Sequence, residues 1–226
     1  VAALGELLQN RLDVIPEVDG RLLNQLLDES GQLKPTYADR LALRQGPQLA
    51  TVFLNFRLDT SLVWAKKPLR LALALGLNRQ ELVNTVLQGT RYPGVAGFTP
   101  PGMPGFGFCT DTGTAPCVQG PAYDPEKAAH LLAEAGYPQG EGLPPLPLTL
   151  PPRHRLLGEY LQQAWATLGV EVELNILDGA VLRQAAIQGE LVCWVGSWLA
   201  DYPEASNYLE LFHSRLAAPA GPNRSR

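Results

Sequence analysis

The chain has 226 residues, of which 46% are hydrophobic and 18% charged, and its formal net charge at pH 7 is −4. This composition predicts a folded globular protein and argues against intrinsic disorder. With a slight acidic excess and no basic cluster, no nucleic-acid partner is expected. No apolar stretch reaches the roughly 18 residues of a membrane-spanning helix. No signal peptide is recognised at Val1, so the chain is interpreted as an excised or processed piece.

The first 90 residues alternate between helical and extended patterns. Asn78 precedes one apolar helical run, with Glu81 three residues later, the spacing of a capping box. Residues 51–56 are rich in β-branched and aromatic side chains, which is typical of a strand. Apolar periodicity predicts helices over residues 3–9, 20–30, 68–75 and 79–88, and strands over residues 12–16 and 51–56.

Residues 91–122 are rich in Pro and Gly and have little apolar periodicity, which predicts a long loop. Cys109 and Cys117 both lie in it, spaced for a small local disulfide that would suit an oxidising, extracytoplasmic compartment. Two unpaired thiols in a cytosolic loop remain the alternative. Cys193 lies in an apolar run and is expected to be a small buried core residue rather than a reactive thiol.

The helix that follows this loop has both ends specified by its own sequence. Asp124 is placed to cap its first turn, and Pro125 fits the first helical position, where its missing N–H is no loss. Gly136 can adopt the left-handed conformation after the last turn, and Pro138 prevents continuation. A helix over residues 125–135 is therefore predicted.

The rest of the chain predicts an α/β domain. Strands and helices alternate, and parallel strands joined by helices form a sheet with helices on its faces through right-handed crossovers. Asp178 is placed to cap the last of these helices. The elements are expected at residues 146–150, 155–168, 170–176, 179–188 and 191–195.

Neither catalytic nor metal chemistry is indicated. The three histidines, His130, His154 and His213, have no Cys, Asp or His partner at metal-ligand spacing, and each is expected to be structural. No phosphate-binding loop, dinucleotide fingerprint or nucleophile elbow occurs. We therefore expect no catalytic residue, no metal and no cofactor, although a hydrolase or transferase with an unrecognised site stays open.

The segment after the last strand is the best candidate for a ligand site. Gly196, Ser197 and Trp198 are expected in the loop at the carboxyl end of strand 191–195, where open α/β sheets bind ligands. Trp198 and Tyr202 offer aromatic surface, and the carboxylate of Asp201 could pair with an ammonium group. The alternative is that Asp201 only organises a turn before Pro203 and that Trp198 belongs to the core.

Two stretches resemble the family 5 extracellular solute-binding proteins, the peptide- and nickel-binding receptors of ABC importers. Residues 123–137 resemble the family pattern YDPEKAKxLLxEAGY, and residues 197–209 resemble GWxADYPDPxNFL. Shorter matches occur along nearly the whole chain, at residues 12–16, 53–56, 68–87, 93–104 and 212–225. The resemblance implies a periplasmic-binding-protein-like lobe of type II, with a mixed sheet flanked by helices.

The resemblance also implies roles for individual residues. In peptide-binding members, the Asp of the second pattern holds the free α-amino group of the peptide, the Trp shapes the pocket, and the preceding backbone pairs with the extended ligand. By position these roles fall on Asp201, Trp198 and Ser197, with Gly196 and Tyr202 beside them. Ser197 stands where the family usually has Gly. Nothing indicates the ligand's length.

Relatives of this kind are about twice as long and close two lobes over the ligand. The resemblance therefore implies that residues 1–226 form most of the second lobe and that the first lobe is missing. Residues 214–226 are predicted to be a loose tail. Implied partners are a peptide or similar small solute and a membrane ABC permease. The implied location is periplasmic or extracellular, with a lipoprotein anchor possible in the full-length form. The alternative is a ligand-sensing domain of a cytosolic transcription regulator built on the same fold.

Overall fold

The structure is a computed structural model that describes residues 2–16, 18, 20–28, 31–94, 97–104, 106 and 120–225. Within these residues the strands are β1 (Ala50–Phe56), β2 (Leu146–Leu150), β3 (Val172–Ile176) and β4 (Cys193–Leu199). The α-helices are α1 (Ala2–Leu8), α2 (Gly20–Leu26), α3 (Pro35–Ala38), α4 (Lys67–Leu75), α5 (Arg79–Thr85), α6 (Pro125–Glu134), α7 (Arg155–Ala166), α8 (Gly179–Gln188) and α9 (Ser206–Leu209).

The described strands form one mixed sheet in the order β1-β4-β2-β3. β2 is parallel to both β3 and β4, whereas β1 is antiparallel to β4. Helix α7 connects β2 to β3, and α8 connects β3 to β4, so that the alternating second half builds the parallel part of the sheet. The expected α/β architecture with a mixed sheet and flanking helices is confirmed.

The helix boundaries follow local hydrogen bonding, as the sequence predicts. Side-chain oxygens of Asn78, Asp124 and Asp178 accept backbone N–H bonds from the first turns of α5, α6 and α8, at 2.9–3.0 Å. Each bond satisfies an amide that would otherwise lack a partner at a helix start. Gly136 adopts a φ of 94° after α6, the left-handed region that glycine enters without a steric penalty.

The main core lies on one face of the sheet, under α4, α6 and α7. Trp165 of α7 is 1% exposed, and its Nε1 donates to the carbonyl oxygen of Leu73 in α4 at 2.9 Å, which ties the two helices together. Along β4, Cys193 and Val195 belong to this core, while Trp194 packs on the opposite face against Leu182, Ala185 and Ala186 of α8. Since side chains alternate along a strand, Gly196 and Trp198 share the face of Trp194.

The structure corrects three expectations about the elements. Residues 12–16 do not form a strand, because no described strand lies beside them; Val14 is 68% exposed. The helix expected over residues 20–30 ends at Leu26, where an isolated bridge between Leu27 and Leu33 reverses the chain. Helix α5 ends at Thr85, and the residues up to Gln88 form turns.

Residues 214–225, the C-terminal segment, are folded, in contrast to the loose tail that the sequence suggests. Ser214–Leu216 is a 3-10 helix, and Ala217 forms a bridge with Asn223. Asn223 is buried, and the Ser225 Oγ lies 3.5 Å from the Asn55 Oδ1 in β1. The segment therefore packs against the sheet. This contact joins residues that are far apart in the chain, which is why composition alone does not reveal it.

Candidate functional site

Gly196, Ser197 and Trp198 lie within β4 and not, as expected, in a loop after it. They pair with Phe53, Val52 and Thr51 of β1, respectively. The strand is longer than residues 191–195 because antiparallel pairing with β1 continues to Leu199. Asp201 and Tyr202 follow it in an exposed bend.

The carboxyl-terminal half of β4 is paired on one side only among the described residues. β2 pairs with β4 at Leu148–Cys193 and Thr149–Trp194, and β2 ends at Leu150. From Val195 to Leu199, no described strand lies on the side of β4 that faces away from β1. This open edge of β4 presents backbone donors and acceptors that an extended chain can pair with.

A buried amide fixes the bend that follows the strand. The Nε1 of Trp198 donates to the Asn207 Oδ1 at 2.7 Å, and the backbone N–H of Asp201 donates to the same oxygen at 3.2 Å. Asn207 is 4% exposed. Thus the side chain of Asn207 and the backbone of Asp201 organise this turn.

The carboxylate of Asp201 takes no part in that arrangement. Asp201 is exposed, and within the described residues its carboxylate has neither a hydrogen-bond partner nor an ion-pair partner. It is therefore available for a positively charged group. Asp201 does contribute to the turn before Pro203, but through its backbone N–H and not through its carboxylate.

A small cavity of about 30 Å³ lies against the same part of β4. It is bounded by the sheet and by the C-terminal segment, and its lining includes Gly196, Ser197, Trp198 and Arg224; we name it the Arg224 cavity. Asp201 and Tyr202 lie outside its lining. A Cβ on Gly196 would meet the Asn55 Nδ2 at 2.4 Å, so the glycine leaves room for the Asn55 side chain here.

Electrostatically, Arg224 is the unusual group at this site. It is half-buried, and burial together with the nearby Arg183 guanidinium lowers its pKa. Both influences disfavour its charged form.

An aromatic cluster supports the loop between β4 and the C-terminal segment. The ring centroids of Phe98 lie 4.7 Å from Phe53 and 4.5 Å from Phe212, in edge-to-face arrangements. Tyr208, fully buried, donates its hydroxyl to the carbonyl oxygen of Leu49, and burial raises its pKa. Such contacts favour a fixed position for residues 206–212 relative to β1.

Sequence reasoning missed Asn207 and Arg224 as site residues. Asn207 could have been found, because it matches the Asn of the family pattern GWxADYPDPxNFL. Arg224 carried no local signal. Its position depends on the C-terminal segment packing against β1, a contact between distant parts of the chain.

The three histidines and Cys193 lie in surroundings that fit structural roles. His130 is exposed, with its Nδ1 3.5 Å from a carboxylate oxygen of Glu134, and the Nδ1 of His213 accepts the Arg215 N–H at 3.3 Å. His154 is partly buried at the start of α7, where burial lowers its pKa. Cys193 is fully buried, which raises the pKa of its thiol, as expected for a core residue.

Within the ranges that the structure describes, no group of three His, Cys, Asp or Glu side chains could hold a metal ion. Among the same residues, no helix is both long and apolar enough to cross a membrane. Cys109 and Cys117 lie outside the described residues, so their disulfide stays a prediction.

Comparisons with known proteins add an independent line of evidence. The chain is 29% identical over 195 residues to the dipeptide-binding protein of Escherichia coli, a match that covers 81% of this chain and 33% of that protein. Over 96 residues it is 34% identical to heme-binding protein A of Haemophilus influenzae, covering 41% of this chain and 18% of that protein. The chain thus spans well under half the length of these relatives.

Two solved structures resemble the whole of this chain. The murein tripeptide-binding protein MppA of Escherichia coli superposes with a TM-score of 0.72 at 26% identity, over 100% of this chain and 41% of that one. An oligopeptide-binding protein of Borrelia burgdorferi shows the same fold, with a TM-score of 0.71 at 21% identity, over 100% of this chain and 41% of that one. The sequence model described as bacterial extracellular solute-binding proteins, family 5 Middle, matches residues 2–218. The chain belongs to the family 5 bacterial extracellular solute-binding proteins.

Proposed function

We propose that this chain is part of the substrate-binding component of an ABC importer and that its solute is a peptide. Two of the similar proteins are named a dipeptide-binding protein and a murein tripeptide-binding protein. The reported relatives are binding proteins, which supports a binding role over an enzymatic one. None of them supports the alternative of a cytosolic transcription regulator.

The observation that carries the proposal is the open edge of β4, which ends beside a carboxylate with no partner among the described residues. An extended peptide adds to this edge as a further strand, with backbone hydrogen bonds that do not depend on its side chains. Ser197 contributes its backbone, and Trp198 forms part of the adjacent wall. One site can therefore accept many peptide sequences.

Asp201 is proposed to bind the α-amino group of the peptide. Its exposed carboxylate follows β4 directly, so a peptide paired with the open edge can place its amino terminus near it. A charge-assisted hydrogen bond of this kind contributes roughly 1.5–3 kcal/mol. Tyr202, exposed in the same bend, is proposed to offer apolar surface to the ligand.

The chain is proposed to form most of one lobe of a two-lobed receptor. It covers 33% of the length of the dipeptide-binding relative, so most of such a receptor lies outside it. The first lobe would close over the ligand and bury it. A membrane permease is the proposed partner, and a periplasmic or extracellular location, with a lipid anchor, is proposed for the full-length protein.

Replacing Asp201 with Ala in the full-length protein tests the amine anchor. Calorimetric titration should show that Asp201→Ala weakens free-amine tripeptides by about 10- to 100-fold, because a charge-assisted bond is lost. The affinity for N-acetylated tripeptides should not change. Glu204→Ala, which removes an exposed carboxylate from the same bend, is the matched control and should leave both affinities intact. Equal losses for both peptide classes would contradict the assignment.

A further inference from the structure

Arg224 is a charged side chain at the site that the proposed function does not use. It belongs to the C-terminal segment and lines the Arg224 cavity beside the backbone of Gly196 and Ser197. Within the described residues its guanidinium has neither an ion-pair partner nor a hydrogen-bond partner. A cation that has lost part of its hydration without gaining a counterion is unfavourable.

The neighbours of Arg224 make its positive charge still less favourable. Burial lowers the pKa of Arg224, and Arg183 of α8 is close enough to lower it further, while no carboxylate among the described residues offsets either effect. Asn55 and Ser197, the polar residues that line the cavity beside Arg224, are both neutral. The site thus attracts a negatively charged group from outside the described residues.

The cavity has room for a small polar group beside Arg224. Its volume of about 30 Å³ exceeds the roughly 10–15 Å³ that one water molecule requires. Arginine presents a planar set of donors that binds a carboxylate through two parallel hydrogen bonds. The cavity also adjoins β4 at the residues where the open edge begins, so a group carried by a strand-like ligand can reach it.

We propose that Arg224 binds a carboxylate of the captured solute in this cavity, and that the receptor therefore prefers solutes with an acidic group at that position. The inference rests on the proposed function. It adds a guanidinium that binds a carboxylate of the solute to the Asp201 carboxylate that binds its α-amino group. The carboxylate comes either from an acidic side chain or from the carboxyl terminus of the peptide. Both have the same chemistry.

Calorimetric titration of the full-length protein with matched tripeptides tests this inference. Ala-Ala-Ala is compared with peptides that carry Glu or Gln at each position, and every peptide is used as the free acid and as the terminal amide. For an acidic side chain, we expect Glu to bind roughly 10- to 100-fold more tightly than Gln at one position. For the carboxyl terminus, we expect the same preference for the acid over the amide.

Substitutions then assign the preference to Arg224. Arg224→Gln should abolish it, and Arg224→Lys, which keeps the charge but not the planar donors, should retain part of it. Arg215→Gln, which removes an exposed arginine of the same segment that does not line the cavity, is the matched control and should leave the preference unchanged. Melting temperatures of the unliganded variants show whether each is folded.

The proposal is overturned if the unsubstituted protein binds Glu and Gln peptides equally well and also binds acids and amides equally well, a result that needs no variant. A preference that survives Arg224→Gln overturns it too. The proposal is also overturned if Arg224→Gln lowers the melting temperature of the unliganded protein and leaves its peptide preferences unchanged. In that case the carboxylate that pairs with Arg224 would belong to the polypeptide itself. Absence of all peptide binding would defeat the proposed function as well, whereas binding without discrimination would defeat only the role of Arg224.

Discussion

The two halves of β4 differ in how they are held, although they form one continuous strand. Residues 193–195 are buried and belong to the hydrophobic cores, and β2 pairs with β4 at Cys193 and Trp194. Residues 196–199 are paired with β1 only and are partly or fully exposed. The first half therefore anchors the strand, and the second half is free to present backbone to a ligand. An open edge of this kind can be rigid because it continues from a buried strand.

Trp194→Ala should give the largest effect, because it removes a side chain that is 2% exposed from the anchored half. We expect a loss of about 3–5 kcal/mol in the free energy of unfolding, measured by urea denaturation. Leu199→Ala in the presenting half, where the side chain is 59% exposed, is the control and should change stability by at most about 0.5 kcal/mol. Equal losses for both variants would show that the two halves are equally embedded.

Asn207→Ala should give an intermediate effect on the presenting half. The substitution removes the oxygen that accepts from Trp198 and Asp201, and it leaves a partly buried indole N–H without its partner. We expect a loss of about 1–3 kcal/mol and faster hydrogen exchange at the Asp201 amide. Asn84→Ala removes an exposed amide whose one side-chain hydrogen bond among the described residues comes from Gln80, and it should cost far less. Unchanged exchange at Asp201 would mean that Asn207 does not hold the bend.

Near neutral pH the ionisation of Cys193 has the smallest effect of the three, because it changes stability only at high pH. Burial raises the pKa of its thiol, so the folded protein keeps the proton while the unfolded chain loses it above about pH 9. The unfolded state then binds fewer protons, and stability falls as pH rises, by up to about 1.4 kcal/mol per pH unit.

The measurement for Cys193 is the pH dependence of the free energy of unfolding between about pH 8 and pH 11. Compared with Cys193→Ala, the unsubstituted protein should lose stability progressively above about pH 9. The two curves should run parallel below that pH, offset by the cost of the small cavity. Curves that stay parallel throughout would show that the thiol is accessible to solvent.

The sequence predicted the starts of helices correctly where a capping side chain lies close to the amide that it binds. The caps at Asn78, Asp124 and Asp178 are confirmed, because a side chain and the amide that it binds are only two or three residues apart. The strand expected at residues 12–16 was wrong, because an apolar run forms a strand only when a partner strand lies beside it. That information is not local.

For the same reason, only part of the arrangement at the candidate site could be predicted. The run from Gly196 to Tyr202 was recognised from its residues, but its division between a strand and a bend follows from pairing with β1, about 145 residues earlier in the chain. Arg224 reaches the site only because the C-terminal segment packs against Asn55. Neither pairing leaves a trace in the neighbouring sequence.

The open edge of β4 also affects the protein's behaviour in concentrated solution. An unpaired strand edge is a template for association with other polypeptides, which is the first step of edge-to-edge aggregation. Its length of five residues and the exposed charge of Asp201 just beyond it both oppose such growth. A solute bound at this edge would therefore also protect the protein from self-association.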